Sequence, residues 1–511
     1  MPFRLGLLTL FLSLLAVPAT ASAAPTDPQE AQAKAALATV RSTLRGVGGA
    51  DPTLALRDLV LLRGSLPEDA RAEADRYLAR PTDGPGDRFG DGYAVGEETP
   101  ECSDVVCVHY VRSTEDRPSL VDDDHDGVPD FVTRALDTLT HVHETYVGAG
   151  YRAPKPDGTR GGDARVDVYL KDIGRQGIYG YCTSDAKVGA RRDAWAYCVL
   201  DNDYSAAEFP RHTPIENLQV TAAHEYFHAV QFGYDIGEDG WFMEATATWA
   251  EDELYDDIND NRQYLTSGPM RHPDASLDQF RGLFQYGSWI FFRYLTETFR
   301  ASDNAMPTLV RDMWRRADDA PGGADDYSLL AVRKELSKRG LSLTDAFAGF
   351  AQANRMPGRS YDEGTAQRYP SAPLDRTVRL ATTRRTAPTY DVRLDHLTSS
   401  TVSYVPTKSL RGQGWVLRLH LDLPQRFRGS GAVVTVIKRG ARPSVRRVPL
   451  NTSGNATLSA RFGRATVKRV EVTLANAGDD FACRRHTAFS CAGVSRDDGR
   501  RALLDVRLRR R

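Results

Sequence analysis

The pattern of apolar and polar positions divides the chain into regions with different expected structure. From about residue 24 to residue 80 the sequence is polar and rich in Ala, Arg and Glu, which predicts helices. Between about 100 and 210 we expect strands and helices to mix, because segments such as Arg165–Leu170 alternate apolar and polar residues. Residues 213–354 are expected to be mainly helical. From about 415 onwards the alternation returns in short segments separated by Gly, Pro and Asn, which predicts a β-sandwich.

Clusters of glycine and proline set the expected domain boundaries. One cluster lies at residues 84–90 and another at residues 358–373. We therefore expect a helical N-terminal segment at 24–85, a mixed domain at 95–357 and a β-sandwich-like domain at 375–511. The N-terminal segment fits two interpretations, a propeptide that is removed and a permanent helical arm.

The first residues have the pattern of a secretory signal peptide. Arg4 precedes an apolar run from Leu5 to Val17, and residues 21–23 are small, as a cleavage site requires. The run is too short for an ordinary membrane span, and no later run is long enough. We expect residues 1–23 to be removed and the mature protein to be secreted into the extracellular space. An uncleaved membrane anchor is the alternative.

Six cysteines fit an extracellular location. They form three close pairs in sequence, Cys102 with Cys107, Cys182 with Cys198, and Cys483 with Cys491. Short loops are easy to close, so local disulfides are the simplest expectation. The chain has no C-x-x-C pair, which disfavours a cysteine zinc site.

Charge and composition add two constraints. A net charge of −2 gives no global attraction to phosphate, so a dedicated nucleic-acid binder is not expected. Arginine nevertheless clusters in the C-terminal domain, for example at 446–447 and 509–511. This basic region could contact an anionic cell-wall polymer, and the alternative is an ordinary solvated basic surface.

The motif HEYFH at residues 224–228 carries the main chemical signal. Residues i and i+4 share one face of a helix, so His224 and His228 can bind one zinc ion, with Glu225 beside them as general base. A capping box at residues 213–216 and the stop signal Gly233 predict the helix itself. The alternative is a buried helix whose histidines only pack or form hydrogen bonds.

A catalytic zinc site needs a third protein ligand. The metzincin pattern is excluded, because its Gly and His positions hold Gln231 and Tyr234. Asp235 and Glu238 lie in the loop after the motif helix. Glu244 lies in a second predicted helix, WFMEATATW, which would return beside the first. We choose Glu244 as the third ligand.

The segments HEYFHAVQFGY and WFMEATATWAED together resemble the gluzincin clan of metallopeptidases. More narrowly, they resemble a family of secreted bacterial metalloproteases with an Asp-rich loop, a strand like Val166–Leu170, a later QYG segment and a C-terminal β-domain. The resemblance covers most of residues 100–355. It implies an α+β protein, with a zincin-like metallopeptidase domain made of a small sheet and a helical subdomain, followed by the β-domain. Thermolysin-like gluzincins orient the first histidine with an acid four positions after the ligand glutamate. This chain has Thr248 there, so Glu251 or Asp252 would take that role.

The expected mechanism uses a zinc-activated water with Glu225 as general base. By analogy with gluzincins, a tyrosine would stabilise the oxyanion, and Tyr286 at the start of an apolar helix is our candidate. A core aromatic is the alternative role for Tyr286. We also expect the strand at Tyr197–Leu200 to pair with an extended substrate.

An aspartate-rich loop predicts a second metal site. Asp122, Asp124, Asp126 and Asp130 form D-x-D-x-D-G-x-P-D, whose alternate carboxylates can surround Ca²⁺ while Gly127 permits the sharp turn. The twelfth position, a glutamate in an EF-hand, is Thr133 here. We expect a structural calcium ion, and the alternative is a solvated acidic turn.

These observations favour a secreted zinc endopeptidase acting on protein or peptide substrates. Two other functions fit parts of the sequence. One is a non-catalytic, calcium-dependent surface-binding protein with a degenerate metallopeptidase fold. The other is a zinc hydrolase that acts on substrates other than peptides.

Overall fold

The computed structural model describes residues 27–47, 51–82, 92–412 and 414–510. The predicted signal peptide, residues 1–23, lies outside them. Within the described part, no helix combines the length and the apolar character needed to cross a bilayer.

The N-terminal segment is helical, as its composition indicates. Its helices are α1 (Pro28–Thr43), α2 (Pro52–Leu62) and α3 (Glu68–Tyr77). α1 and α2 begin in the same way, because Asp27 and Asp51 cap them and a proline follows each aspartate. Leu54, Leu56 and Leu59 on α2 are fully buried in the core of the following domain.

A five-stranded sheet and one long helix follow. The elements are β1 (Glu101–Cys102), β2 (Val106–His109), α4 (Asp130–Gly148), β3 (Val166–Lys171), β4 (Gly180–Thr183) and β5 (Tyr197–Asp201). The strand order is β1-β2-β3-β5-β4. β2, β3 and β5 are parallel, whereas β4 lies antiparallel to β5 at the edge. The expected pairing of a substrate with Tyr197–Leu200 is therefore wrong, because β5 already has a neighbour on each side. On this side of the sheet the edge strand is β4.

The helical region forms the centre of this domain. Its elements are α5 (Pro214–Asp235), α6 (Gly240–Leu254), α7 (Phe284–Gly287), α8 (Trp289–Thr298), β6 (Ser302–Asp303), β7 (Met306–Pro307), α9 (Thr308–Arg316), α10 (Leu329–Lys338), α11 (Leu343–Ala353) and α12 (Pro357–Ser360). Residues 220–252 are buried without exception. The α5–α6 pair is thus a core element covered on all sides, which explains why its apolar positions extend around the helices. Gly233 does not end α5, which continues to Asp235.

The C-terminal region consists of strands, as the alternating pattern predicts. They are β8 (Arg376–Leu380), β9 (Tyr390–Leu394), β10 (Thr398–Pro406), β11 (Trp415–Asp422), β12 (Ser430–Lys438), β13 (Ser444–Arg447), β14 (Asn455–Arg461), β15 (Val467–Asn476), β16 (Phe481–Ala482), β17 (Val494–Ser495) and β18 (Arg500–Arg510). Two main sheets, ordered β13-β12-β15-β10-β8 and β14-β11-β18-β9, bury their inward side chains in one shared core. The predicted α+β class with a C-terminal β region is confirmed.

All six cysteines form disulfides in the predicted local pairs. Cys102 bonds to Cys107, Cys182 to Cys198, and Cys483 to Cys491. The second disulfide joins β4 to β5 beside the motif helix, because Cys182 and Cys198 face each other in that antiparallel pair.

Candidate metal centre

The helix that carries the HExxH motif is fixed at its start by its own sequence. The Thr213 hydroxyl accepts a hydrogen bond from the Glu216 amide at 3.2 Å, and the Glu216 carboxylate accepts one from the Thr213 amide at 2.8 Å. Pro214 occupies the first helical position. The predicted capping box is therefore present, and the motif lies in the interior of α5.

His224, His228 and Glu244 converge on one point between α5 and α6. The two Nε2 atoms lie 3.0 Å apart. Glu244 Oε2 is 3.3 Å from Nε2 of His224, and Glu244 Oε1 is 3.3 Å from Nε2 of His228. Two ligand atoms held tetrahedrally at about 2.0–2.1 Å from one zinc ion would lie about 3.3 Å apart. The three separations therefore fit a common cation.

Hydrogen bonds on the outer side of each imidazole set its orientation. Nδ1 of His224 lies 2.5 Å from the Glu251 carboxylate, and Nδ1 of His228 lies 2.7 Å from Oε1 of Gln231. The Gln231 amide nitrogen donates to the Met243 carbonyl at 3.0 Å, which leaves its oxygen to accept from His228. Each Nδ1 thus carries a proton, and the Nε2 lone pairs point inward, as metal ligation requires.

Glu251 takes the orienting role that the sequence left to Glu251 or Asp252. Asp252 instead forms an ion pair with Arg293. The hydroxyl of Thr248 has no hydrogen-bond partner among the described residues. α6 therefore supplies both the third ligand, Glu244, and the carboxylate that orients His224, Glu251. The two glutamates are seven residues apart.

The environment of Glu244 supports a bound cation. Its side chain is fully buried, and neither carboxylate oxygen has a well-formed hydrogen bond in the described structure. The 3.3 Å contacts with the imidazoles exceed the roughly 2.7–2.9 Å of a charge-assisted hydrogen bond. A buried carboxylate of this kind is costly unless it is paired or binds a metal. The two imidazoles and one carboxylate are the ligand types of a catalytic zinc site.

The charges of the site act in opposite directions on its two acids. Burial alone would raise the pKa of Glu244, but the nearby imidazoles of His228 and His224 outweigh it and lower the pKa to about 2. Burial dominates at Glu251 and raises its pKa to about 7, against the opposing effect of His224. Glu244 is therefore the anionic member of the set across the physiological pH range.

Glu225 lies beside the three ligands and faces a cavity. Its carboxylate accepts a hydrogen bond from the Thr53 hydroxyl at 3.0 Å. Burial raises its pKa, although the charges of His224 and His228 oppose the rise. The cavity, of about 360 Å³, is lined by His224, Glu225 and Tyr286 together with residues from β4 and the N-terminal segment. Glu225 is thus within reach of a molecule in this cavity.

Tyr286 also lies at the site. Its ring centre is 6.1 Å from that of His224, and it stacks on Tyr264 with the ring centres 5.0 Å apart. The Tyr286 hydroxyl donates a hydrogen bond to Asp51 of the N-terminal segment. Burial, reinforced by the negative charge of Glu244, raises the pKa of Asp51 to about 7.

Sequence reasoning missed the contribution of the N-terminal segment. Asp51 and Thr53 contact Tyr286 and Glu225, residues more than 170 positions away. The local signal at Asp51-Pro52 is only that of a helix start, which is also its structural role. In the sequence, Gln231 serves only to exclude the metzincin pattern. Nothing in the sequence indicates that its side chain contacts His228.

The aspartate-rich loop brings together three of its four predicted ligands. Carboxylates of Asp122, Asp124 and Asp130 each offer an oxygen within 4.8 Å of the others. Asp126 is not in this group, and its carboxylate accepts a hydrogen bond from the Val128 amide at 2.7 Å. Gly127 has a φ of 94°, which agrees with the sharp turn expected there. Three of the four predicted calcium ligands therefore lie together in the structure.

Comparisons with known proteins give no family. No protein-family model and no curated protein matches the chain. Among solved structures, one similar chain is a family GH115 4-O-methyl-α-glucuronidase with specificity for decorated arabinogalactans. The identity is 10%, the match covers 58% of this chain and 38% of that one, and the TM-score is 0.15. A likeness at this level carries no argument about fold or function.

Proposed function

We propose that the protein is a secreted zinc-dependent endopeptidase with a zincin-like domain of the gluzincin type. The observation that carries the proposal is the buried set formed by His224, His228 and Glu244, whose lone pairs face one another at 3.0–3.3 Å. Orientation of both imidazoles by Glu251 and Gln231 supports it.

When bound, zinc supplies Lewis acidity and lowers the pKa of water to about 7. Glu225 accepts the proton of the attacking water, because it is the carboxylate next to the ligands that faces the cavity. The same carboxylate then returns the proton to the departing amine nitrogen. The Tyr286 hydroxyl donates a hydrogen bond to the oxyanion that develops on the substrate.

A peptide substrate is favoured by the position of β4. Gly180 at the start of this edge strand lines the same cavity as Glu225. An extended peptide can add to such an edge through main-chain hydrogen bonds, which bring its carbonyl groups past the base. Strand addition of this kind favours a peptide over other hydrolysable substrates.

The non-catalytic alternative accounts for less of the structure. A protein that only binds surfaces has no need for Glu225 facing a cavity or for oriented Nε2 lone pairs. Calcium at Asp122, Asp124 and Asp130 fits both functions and is proposed as a structural ion.

Contact with an anionic cell-wall polymer is proposed for the C-terminal domain. A groove of about 950 Å³ between this domain and α12 is lined by the cations Arg355, Arg359, Lys438, Arg442, Lys468 and Arg469. Glu471 neutralises part of this charge by pairing with Arg355 and Arg469. Binding through the remaining cations should weaken as the salt concentration rises.

The test compares peptide hydrolysis by the secreted protein with that of a Glu225→Gln variant. The variant should retain zinc and lose turnover, since the ligands remain and only the proton acceptor is removed. Glu144→Gln, a change at an exposed glutamate of α4, is the control and should keep full activity. Hydrolysis that persists in Glu225→Gln, or that resists chelation of zinc, would refute the proposal.

A further inference from the structure

The N-terminal segment reaches into the cleft through the first turn of α2. Asp51 caps this helix with one carboxylate oxygen, which accepts the Leu54 amide at 2.7 Å. The other oxygen accepts a hydrogen bond from the hydroxyl of Tyr286. One side chain therefore both starts the helix and engages the residue that, under the proposed function, stabilises the oxyanion.

This contact is incompatible with catalysis. A phenol has one O–H, so a Tyr286 that donates to Asp51 has no proton to donate to a substrate oxyanion. Asp51 is thus the acceptor of the hydrogen bond that Tyr286 would otherwise donate to the oxyanion of the reaction intermediate. A carboxylate there is the same kind of acceptor as the oxyanion it replaces.

Thr53, which lies in the same first turn of α2, covers two further groups of the cleft. Its hydroxyl donates to the carboxylate of Glu225 and accepts a hydrogen bond from the Cys182 amide, both at 3.0 Å. Cys182 belongs to β4, and this amide points away from β5, along the edge that an extended peptide would use. The turn therefore engages the general base, the oxyanion donor and the substrate-binding edge together.

Buried contacts hold the segment in this position. The Arg57 guanidinium donates to the Glu238 carbonyl at 2.7 Å, and Arg80 forms a buried ion pair with Asp157 at 2.5 Å. Leu54 packs so closely that a side chain at Gly240, the first residue of α6, would lie 2.7 Å from it. The fit is specific to this cleft rather than a loose covering.

We propose that residues 27–47 and 51–82 belong to an autoinhibitory segment in which Asp51 occupies the oxyanion position and Thr53 covers Glu225 and the β4 edge. The inference rests on the proposed function and extends it to the regulation of the same site. The enzyme is latent while the segment occupies the cleft, and it becomes active when Asp51 and Thr53 leave. Of the two interpretations of the N-terminal segment, this selects the propeptide.

The test measures binding of acetohydroxamate, a small zinc-binding probe, to the zinc-loaded full chain by calorimetry. All proteins carry Glu225→Gln, so that none can cleave itself. Asp51→Ser retains a short side chain that can cap α2 but is too short to reach Tyr286. Asp27→Ser, the equivalent change at the start of α1, is the matched control. We expect Asp51→Ser to bind the probe at least tenfold more tightly than the parent, and Asp27→Ser to bind like the parent.

Equal probe affinity in the parent and Asp51→Ser would overturn the autoinhibitory role while leaving the zinc site intact. Failure of all three proteins to bind zinc would overturn the proposed function and the inference with it. Mass spectrometry of the secreted form that hydrolyses peptides gives an independent check. Its first residue should lie after residue 53, and an active form that retains Asp51 in the cleft would contradict the inference.

Discussion

Replacement of Glu251 tests how the second helix supports the metal. Glu251 lies 2.5 Å from Nδ1 of His224, and its side chain is 8% exposed, so water cannot readily take its place. Loss of such an outer hydrogen-bond partner typically costs 10–100-fold in metal affinity, or about 1.4–2.8 kcal/mol. Glu251→Gln retains an acceptor and removes the charge, so we expect a loss of zinc affinity near tenfold. Glu251→Ala removes both, and the loss should approach 100-fold.

The assay is competition for zinc with a chelator of known affinity, at constant pH. Asp252→Asn provides a matched control from the adjacent position. Asp252 pairs with Arg293 rather than with a ligand histidine, so this change should reduce thermal stability and leave zinc affinity unchanged. An Asp252→Asn protein that loses zinc as readily as Glu251→Gln would refute the assignment of the orienting role to Glu251.

Three further predictions concern Tyr286, His396 and Asp122. Tyr286→Phe, studied in the active secreted form, should lower kcat by about 10²–10³ with little change in KM, and an unchanged kcat would exclude Tyr286 as the oxyanion donor. Burial would lower the pKa of His396, but Asp278 and Asp498 outweigh it and raise that pKa to about 9. Against about 6.5 in the unfolded chain, the protonated His396 stabilises the fold by at most about 3 kcal/mol below pH 6.5, and this is lost as the pH rises through 9. Denaturant unfolding at pH 6 and pH 9 should show this loss, and His396→Gln should abolish most of the difference. Asp122→Ala should remove a calcium-dependent increase in melting temperature, and an increase that persists would place the calcium elsewhere.

The sequence predicts the parts of the site that are local in the chain. The capping box, the i, i+4 spacing and the returning helix all act over about thirty residues, so their periodicity and cap signals indicate where His224, His228 and Glu244 lie. Glu251 follows for the same reason, since it is on the helix that already carries Glu244. The alternating pattern of β11 likewise predicts a half-buried strand correctly, because one face of its sheet lies on the core.

Features that depend on distant contacts could not be predicted in this way. The order β1-β2-β3-β5-β4 places β5 inside the sheet, and nothing in the sequence of Tyr197–Leu200 distinguishes an interior strand from an edge strand. Asp51 has an ordinary role at a helix start, and only the folded structure brings it to Tyr286. Gly233 was expected to end α5, but packing of the buried α5–α6 pair outweighs the weak helix propensity of one glycine.

The most direct test of the central claim is a crystal structure with anomalous diffraction recorded on both sides of the zinc absorption edge. We predict one zinc peak at about 2.0–2.2 Å from Nε2 of His224, Nε2 of His228 and a carboxylate oxygen of Glu244. A zinc-loaded crystal with no peak between these side chains, or with Glu244 turned away from the metal, would contradict it.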